Sequence, residues 1–432
     1  MKKKKATVSK LAIHGGTPVM KKPLPEPHNA GKEEIAAAVR VIKTGPLSGF
    51  LGTASPRFLG GTYVKLLESD YAKRFKVRHA VSFNSATTAL HAAVVALGIG
   101  PGDEVIVPPY TMSASAMAIL MNGAVPIFAD IDKDTFCIDP ASVASRITPR
   151  TKAIMVVNLF GQGADFSALL PLAKKHGLAV IEDNAQSPGA TWRGADLGTV
   201  GDIGIFSLNL HKAIQTGEGG VLVTNNDTYA LRAQLCRNHG EAVVDDMPDY
   251  SAGPIFGSNY RMTEVVAAMA RVQLKRLPFL TKKRVQLAER LHKGLWGIRG
   301  LTPAYTHPDN THVYYRFAIK VDEKVLGISR DALADAMAAE GFPLSKGYVK
   351  PIYLMKLFQE RKAFNNTHFP FEKNTYYDGD PDYSKGTCPV VERMFDMELT
   401  LTDICQHPYT TKHVDLFLTA LKKVLAHKHE LT

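Results

Sequence analysis

A large α/β domain built on a mostly parallel sheet, followed by a smaller α+β domain, is the fold class the sequence predicts. Three observations carry it. Between about residues 31 and 285, short continuous apolar runs alternate with amphipathic helical stretches, the pattern of strands covered by helices on both faces. Near residue 286 that alternation stops. The 432 residues accommodate two or three domains at roughly 100–200 residues each, and a composition 45% hydrophobic and 22% charged is that of an ordinary globular chain.

Residues 1–30 hold Gly15, Gly16 and four prolines without apolar periodicity, so they read as an N-terminal extended arm with a basic tail. The formal net charge is +11, but residues 1–22 contain seven lysines and no acidic residue, which leaves +4 for the remainder. Basicity is therefore a property of the tail. Lys2 to Lys5 could attract phosphates or an anionic membrane, yet a short terminal charge run is ordinarily solvated, and neither nucleic acid nor membrane is expected as a partner.

The large domain, residues 31–285, offers six strand candidates: 104–108 (EVIVP), 126–130 (PIFAD), 153–158 (AIMVVN), 178–183 (LAVIED), 203–208 (IGIFSL) and 220–224 (GVLVT). Helical stretches separate them, among them TALHAAVVALG, with Leu90, Ala93, Val94 and Leu97 on one face, and FSALLPLAKKHG. In the smaller domain, residues 286–432, an amphipathic helix (VQLAERLHKGL), a strand (VYYRFAIKV) and a helix (RDALADAMAAEG) precede a Pro- and aromatic-rich segment. Residues 362–386 lack any period and read as a long loop before the final helix.

Cys137, Cys236, Cys388 and Cys405 are widely spaced, with no CxxC, so neither a zinc site nor a disulfide framework is indicated. After MKKKK there is no apolar core of a secretory signal, and AMAILMNGAVPIF is too short to span a bilayer. A cytoplasmic location is expected.

Ligands of parallel α/β sheets bind at the carboxyl ends of the strands. Four polar clusters fall at such ends. Asn84 to Thr88 precede a helix, where free N–H groups and the Ser85 and Thr87 hydroxyls could hold an anion or simply cap the helix. Glu182 and Asp183 end an apolar strand; a carboxylate there either caps the next segment or pairs with a protonated heterocyclic nitrogen. Ser207 and Lys212 follow the next strand, in FSLNLHKAIQTGEGG. Asn259 and Arg261 precede another helix. An anion cradle, a strand-end carboxylate and a lysine in a turn are together the parts of a pyridoxal phosphate site.

With these residues in view, the chain resembles the DegT/StrS family of pyridoxal phosphate-dependent sugar aminotransferases, from LAIHGGTP to the final helix. The resemblance implies the aspartate-aminotransferase-like type I fold, with a seven-stranded-type sheet in the large domain. It also implies roles. Ser85-Ala86-Thr87-Thr88-Ala89-Leu90 matches the phosphate motif, giving contacts from Ser85, the Ala86 backbone and Thr87. Glu182-Asp183-Asn184-Ala185-Gln186 makes Asp183 the pyridine-nitrogen partner, Ala185 a ring-face contact and Gln186 a partner of the phenolic oxygen. Ser207 binds phosphate and Lys212 forms the Schiff base. Asn259, in the motif Gly257 to Met262, reaches the phosphate in the partner subunit's site of a homodimer with shared active sites.

Two departures from the family pattern stand out: Met112 replaces an aromatic that covers the ring face, with Tyr110 as the rival for that contact, and Asn184 stands where Ala is common. His211, beside the lysine, is either structural or an acid/base group. The resemblance implies a ping-pong transfer from L-glutamate or L-glutamine to a keto-sugar, nucleotide-linked in the first reading and a keto-cyclitol of the inosose type in the second. A sugar dehydratase, in which histidine replaces the lysine, is disfavoured by Lys212. A non-catalytic regulator is disfavoured by the intact Asp183, Gln186, Ser207 and Lys212.

Overall fold

Seven strands form one sheet in the computed structural model, which describes residues 10–27, 30–246, 255–365 and 367–431. In chain order the strands are β1 (His79–Phe83), β2 (Glu104–Val107), β3 (Val125–Phe128), β4 (Thr151–Val157), β5 (Ala179–Asp183), a two-rung hairpin of β6 (Thr191–Trp192) and β7 (Ala195–Asp196), β8 (Ile203–Ser207), β9 (Gly220–Thr224), β10 (Leu301–Pro303), β11 (Phe317–Val321) and β12 (Leu399–Thr402). The large sheet has the order β1-β9-β8-β5-β4-β2-β3. All six strands expected from the apolar runs are there, within two residues of their predicted ends. The seventh, β1, has no apolar run to announce it: buried Ser82 interrupts it, and Glu68 accepts both the Ser82 N–H and its hydroxyl at 2.8 Å.

Within the large sheet every pairing is parallel except those of β9, which runs antiparallel to both β1 and β8. The β8–β9 connection is a hairpin, as only antiparallel neighbours allow. The carboxyl ends of β1, β5 and β8 and the amino end of β9 therefore share one edge of the sheet. Helix Ala86–Ala96 leaves β1 at that edge and is buried from Ala89 through Ala96 on all sides, not on one face only.

The helix Glu264–Leu295 runs straight through residue 286, with Pro278 inside it. Its first half puts Ala267, Ala270, Leu274 and Leu277 into an apolar cluster beneath the large sheet. Its second half puts Leu287, Ala288, Leu291 and Leu295 into the core of the three-stranded sheet β10-β11-β12. The expected strand VYYRFAIKV begins only at Phe317, because Tyr314 takes a positive φ of 51° that breaks the extended run. Residues 315 and 316 are thereby free to turn toward the large sheet.

Two further segments leave their sequence neighbours. Ile352, Tyr353, Phe358, Phe371 and Tyr383 pack into the large core, and the Tyr383 hydroxyl donates to the Pro126 carbonyl (2.8 Å), so this segment covers the β3 edge. At the other end of the chain, Leu11 is fully buried in the small-domain core. Glu340 accepts the N–H groups of Ala12 (2.9 Å) and Val19 (3.0 Å) and pairs with Lys423 (2.8 Å). The Lys2 to Lys5 run lies outside the described residues. Among the described residues, no helix is long and apolar enough to cross a membrane.

Candidate active site

Lys212 sits on the hairpin between β8 and β9. Leu208 and Leu210 donate N–H bonds across it to Gly219 (2.9 Å) and Gly217 (2.8 Å), and the Lys212 N–H donates back to the Asn209 carbonyl (2.9 Å). Ala213 and Ile214, the next two residues, are buried in the cluster under the sheet. The lysine is thus anchored from both sides, and its side chain lines a cavity of about 670 Å³, within the range of small-molecule sites. Nζ lies 5.0 Å from the centre of the Tyr315 ring. Burial pulls the ammonium below its ordinary pKa, opposed by the negative ends of Tyr348 and Asp183.

The adjacent carboxylates of β5 point to opposite faces, as period-2 geometry requires, and do different work. Glu182 is fully buried and accepts the N–H groups of Gly198 (2.7 Å), Val200 (2.6 Å) and Gly201 (2.8 Å) and the Asn158 amide (2.9 Å). It closes a structural loop. Asp183 faces the Lys212 side; the Ser115 hydroxyl donates to its Oδ2 (2.8 Å) and the Ala185 N–H to its Oδ1 (3.1 Å). Asn184 has a structural account too: its side chain donates to the Leu197 carbonyl (2.8 Å) and accepts from Asn158 (3.1 Å), tying the ends of β4 and β5 to the loop before β8.

The anion cradle is assembled around Gly220, which pairs with both Phe83 and Ser207. A Cβ on Gly220 would fall 2.5 Å from the Ala86 nitrogen, so only glycine lets β9 approach the helix start so closely. Ser207 is thereby brought beside the N-terminus of helix Ala86–Ala96. Ser85 is the N-cap, accepting the Thr88 N–H (3.2 Å). The Ala86 and Thr87 N–H groups have no intrahelical acceptor, as first-turn groups cannot, and Thr87 is exposed. A phosphate at the helix end and a cationic ring nitrogen at Asp183 fit these donors and this acceptor.

Gln186 is buried between the Phe160 N–H, which it accepts (2.9 Å), and the Tyr348 hydroxyl, to which it donates (3.0 Å). Tyr348 is one of several cavity residues that motif reading missed. Tyr315, Arg316, Tyr348, Asp403 and Gln406 line the cavity with Lys212, yet stand more than a hundred residues beyond it, in segments with no recognised motif. Ser115 was missed too; its signal was the PPYTMSAS stretch, read only for Tyr110 and Met112. Tyr110 is fully buried, its hydroxyl accepting the Tyr348 N–H (3.0 Å), whereas Met112 is 61% exposed. His211 is exposed at the cavity rim. Asn259 is not brought to Lys212: it is exposed, and its side chain has no hydrogen-bond partner among the described residues.

The model of the DegT/DnrJ/EryC1/StrS aminotransferase family matches residues 53–379. The chain is 34% identical over 440 residues to the L-glutamine:2-deoxy-scyllo-inosose aminotransferase of Streptoalloteichus tenebrarius, covering 98% of this chain and 99% of that one. It is 39% identical over 296 residues to the GDP-perosamine synthase of Caulobacter vibrioides, covering 68% and 78%. Among solved structures, S. venezuelae DesV in complex with a ketimine intermediate is similar with a TM-score of 0.76 at 30% identity, over 91% of this chain and 94% of that one.

Proposed function

Because the chain belongs to the DegT/DnrJ/EryC1/StrS aminotransferase family, we propose that it uses pyridoxal phosphate to move an amino group from L-glutamate or L-glutamine to a keto-sugar, nucleotide-linked in the first reading, in ping-pong order. The observation that carries this reading is the desolvated Lys212 amine, which lines a cavity and feels the charge of Asp183 at the end of β5. When bound, pyridoxal phosphate supplies an electron sink for the carbon that bears the amino group. Every other part belongs to the chain. Ser85, Ala86, Thr87 and Ser207 hold the phosphate, and Asp183 receives the ring N–H. Ala185 and Met112 would cover the ring, and Gln186 would donate to its phenolic oxygen.

Lys212 Nζ would hold the cofactor and, as a free amine, would take the proton from the donor's Cα. Its lowered pKa increases the free-base fraction that this needs. Asn259 completes the phosphate site of a second subunit in a homodimer, a reading supported by its exposed and unpartnered side chain. An outward stripe of Ile35, Val39 and Ile42 on the helix Lys32–Thr44 supplies apolar surface for such an assembly. The reading places the enzyme in the cytoplasm, where its amino donors and a nucleotide-linked acceptor would be met.

A keto-cyclitol acceptor is the second reading, supported by the end-to-end match to the inosose aminotransferase. The test is direct. The enzyme is loaded with amino groups from L-glutamine, freed of donor, and offered either a nucleotide-linked keto-hexose or an inosose while the cofactor absorbance is followed. Return of the starting spectrum with one acceptor class selects it; no conversion by any amino acid donor rejects the aminotransferase reading altogether.

A further inference from the structure

Phe160, in the turn after β4, stands in the left-handed region of backbone space, with φ 57° and ψ 3°. A phenylalanine takes up that conformation only where its surroundings hold it there, and here they do. The side chain is fully buried, its ring edge-to-face on Phe136 (centroids 5.9 Å apart) and on Tyr348 (5.1 Å). Its carbonyl accepts the Arg316 N–H (3.3 Å), and its own N–H donates to Gln186 Oε1 (2.9 Å). One strained residue thus joins the end of β5 to the wall of the cavity that faces it.

The direction of that N–H decides how Gln186 can behave. A carboxamide has an oxygen that accepts and a nitrogen that donates twice, and either end fits beside a hydroxyl, which can do both. Tyr348, the other partner of the Gln186 side chain, therefore leaves the amide free to face either way. A backbone N–H can only donate. It obliges Gln186 to turn Oε1 toward Phe160 and its NH2 group away, where one hydrogen meets the Tyr348 hydroxyl (3.0 Å) and the other has no acceptor among the described residues. Were Phe160 to relax to an ordinary backbone conformation, its N–H would turn aside and the amide could present either end to a ligand.

Resting on the aminotransferase reading above, we propose that Phe160 is a positioning residue: its left-handed backbone aims a peptide N–H that fixes the orientation of the Gln186 amide and so commits the free Gln186 N–H to the phenolic oxygen of pyridoxal phosphate. The reversed amide would set a carbonyl oxygen against that oxygen and repel it. The fixed one stabilises negative charge there, which favours release of the proton that the phenolic oxygen shares with the lysine nitrogen. The pH at which the absorbance of the bound cofactor titrates is therefore the quantity that Phe160 controls.

The test is that titration, followed in protein loaded with pyridoxal phosphate, for wild type and for Phe160→Gly, Phe160→Ala and Phe160→Val. Glycine enters the left-handed region freely, alanine less readily and a β-branched residue least. The midpoint should stay near wild type in Phe160→Gly, rise in Phe160→Ala and rise furthest in Phe160→Val, there by about one pH unit, the size of a lost hydrogen bond to a charged group. A residue that only fills space predicts the opposite order, since glycine leaves the largest cavity and valine the smallest. In a Gln186→Leu background, Phe160→Val should add no further shift, because the two residues act through one contact. The Gly and Ala variants decide the matter alone if Phe160→Val does not retain cofactor. Equal midpoints throughout or the opposite order overturn the proposal, and so does a Phe160→Val shift that persists in Gln186→Leu. Wild-type protein that takes up no pyridoxal phosphate would instead reject the aminotransferase reading itself.

Discussion

The two walls of the cavity are built in opposite ways. One is the β8–β9 hairpin that carries Lys212, at the sheet edge where Ser85 to Thr87, Asp183 to Gln186 and Ser207 also stand at strand ends. Each group is a short contiguous motif, and parallel pairing alone brings the motifs to one edge. The facing wall, Tyr315, Arg316, Tyr348 and Asp403, comes from three separate loops of the C-terminal part of the chain. It exists only because these loops fold back toward the Lys212 hairpin.

That contrast can be broken most sharply at Lys212. Lys212→Ala should abolish turnover, a loss of about 10⁴-fold or more when both covalent attachment and proton transfer go, together with any borohydride-reducible cofactor adduct. A surviving adduct would assign the covalent role to another lysine. The β5 carboxylates come next. Asp183→Asn should retain cofactor yet lose on the order of a hundredfold in kcat, the usual cost of removing one preorganised charge, with little change in Tm. In cofactor-stripped protein the same substitution should lower the Lys212 pKa further, since burial depresses it and Asp183 opposes that effect. The pH dependence of amine-selective labelling at Lys212 reads the shift, and its half-point should move to lower pH.

Glu182→Ala should do the reverse. It orphans three backbone N–H groups at about 1–3 kcal/mol each, a large share of a stability of about 5–15 kcal/mol. Tm or soluble yield should fall before any kinetic effect can be read. Similar activity losses with similar Tm in the two variants would mean that the opposite-face assignment of the pair is wrong.

Subunit mixing tests whether the sheet-edge wall is complete in one chain. Inactive Lys212→Ala and inactive Asn259→Asp subunits, exchanged into mixed dimers, should recover activity, because one of the two sites then has both residues intact. The Asp substitution is chosen because its carboxylate repels a phosphate. Full subunit exchange without recovery would argue for sites contained in single chains. The smallest effect is expected at Met112. A thioether on an aromatic ring is worth about 0.3–1.5 kcal/mol, close to the ~0.5–1.5 kcal/mol of an aromatic pair. Met112→Phe should leave cofactor Kd within about tenfold, whereas Met112→Asp should raise it well beyond that.

The sequence by itself determined where most strands of the large sheet run and which polar residues stand at their ends. Apolar runs located six of the seven large-sheet strands, and the residues immediately after β5 and β8 could be assigned roles because each motif is local and the strands that carry them are parallel. It missed β1, whose polar Ser82 is satisfied by Glu68 on a preceding helix and by Arg237, both distant in sequence. It placed a boundary at residue 286 where one helix serves two cores, since periodicity reports which face of a helix is apolar and not which neighbour covers it. Asn184 had no sequence account because its partners, Asn158 and Leu197, belong to other strands' loops. The Tyr315, Arg316, Asp403 and Arg284 cluster was decided by tertiary structure alone. Its residues are far apart in the chain and ordinary in their local patterns, and only the fold brings Arg316 into a two-pronged bond with Asp403 and leaves Arg284 buried nearby.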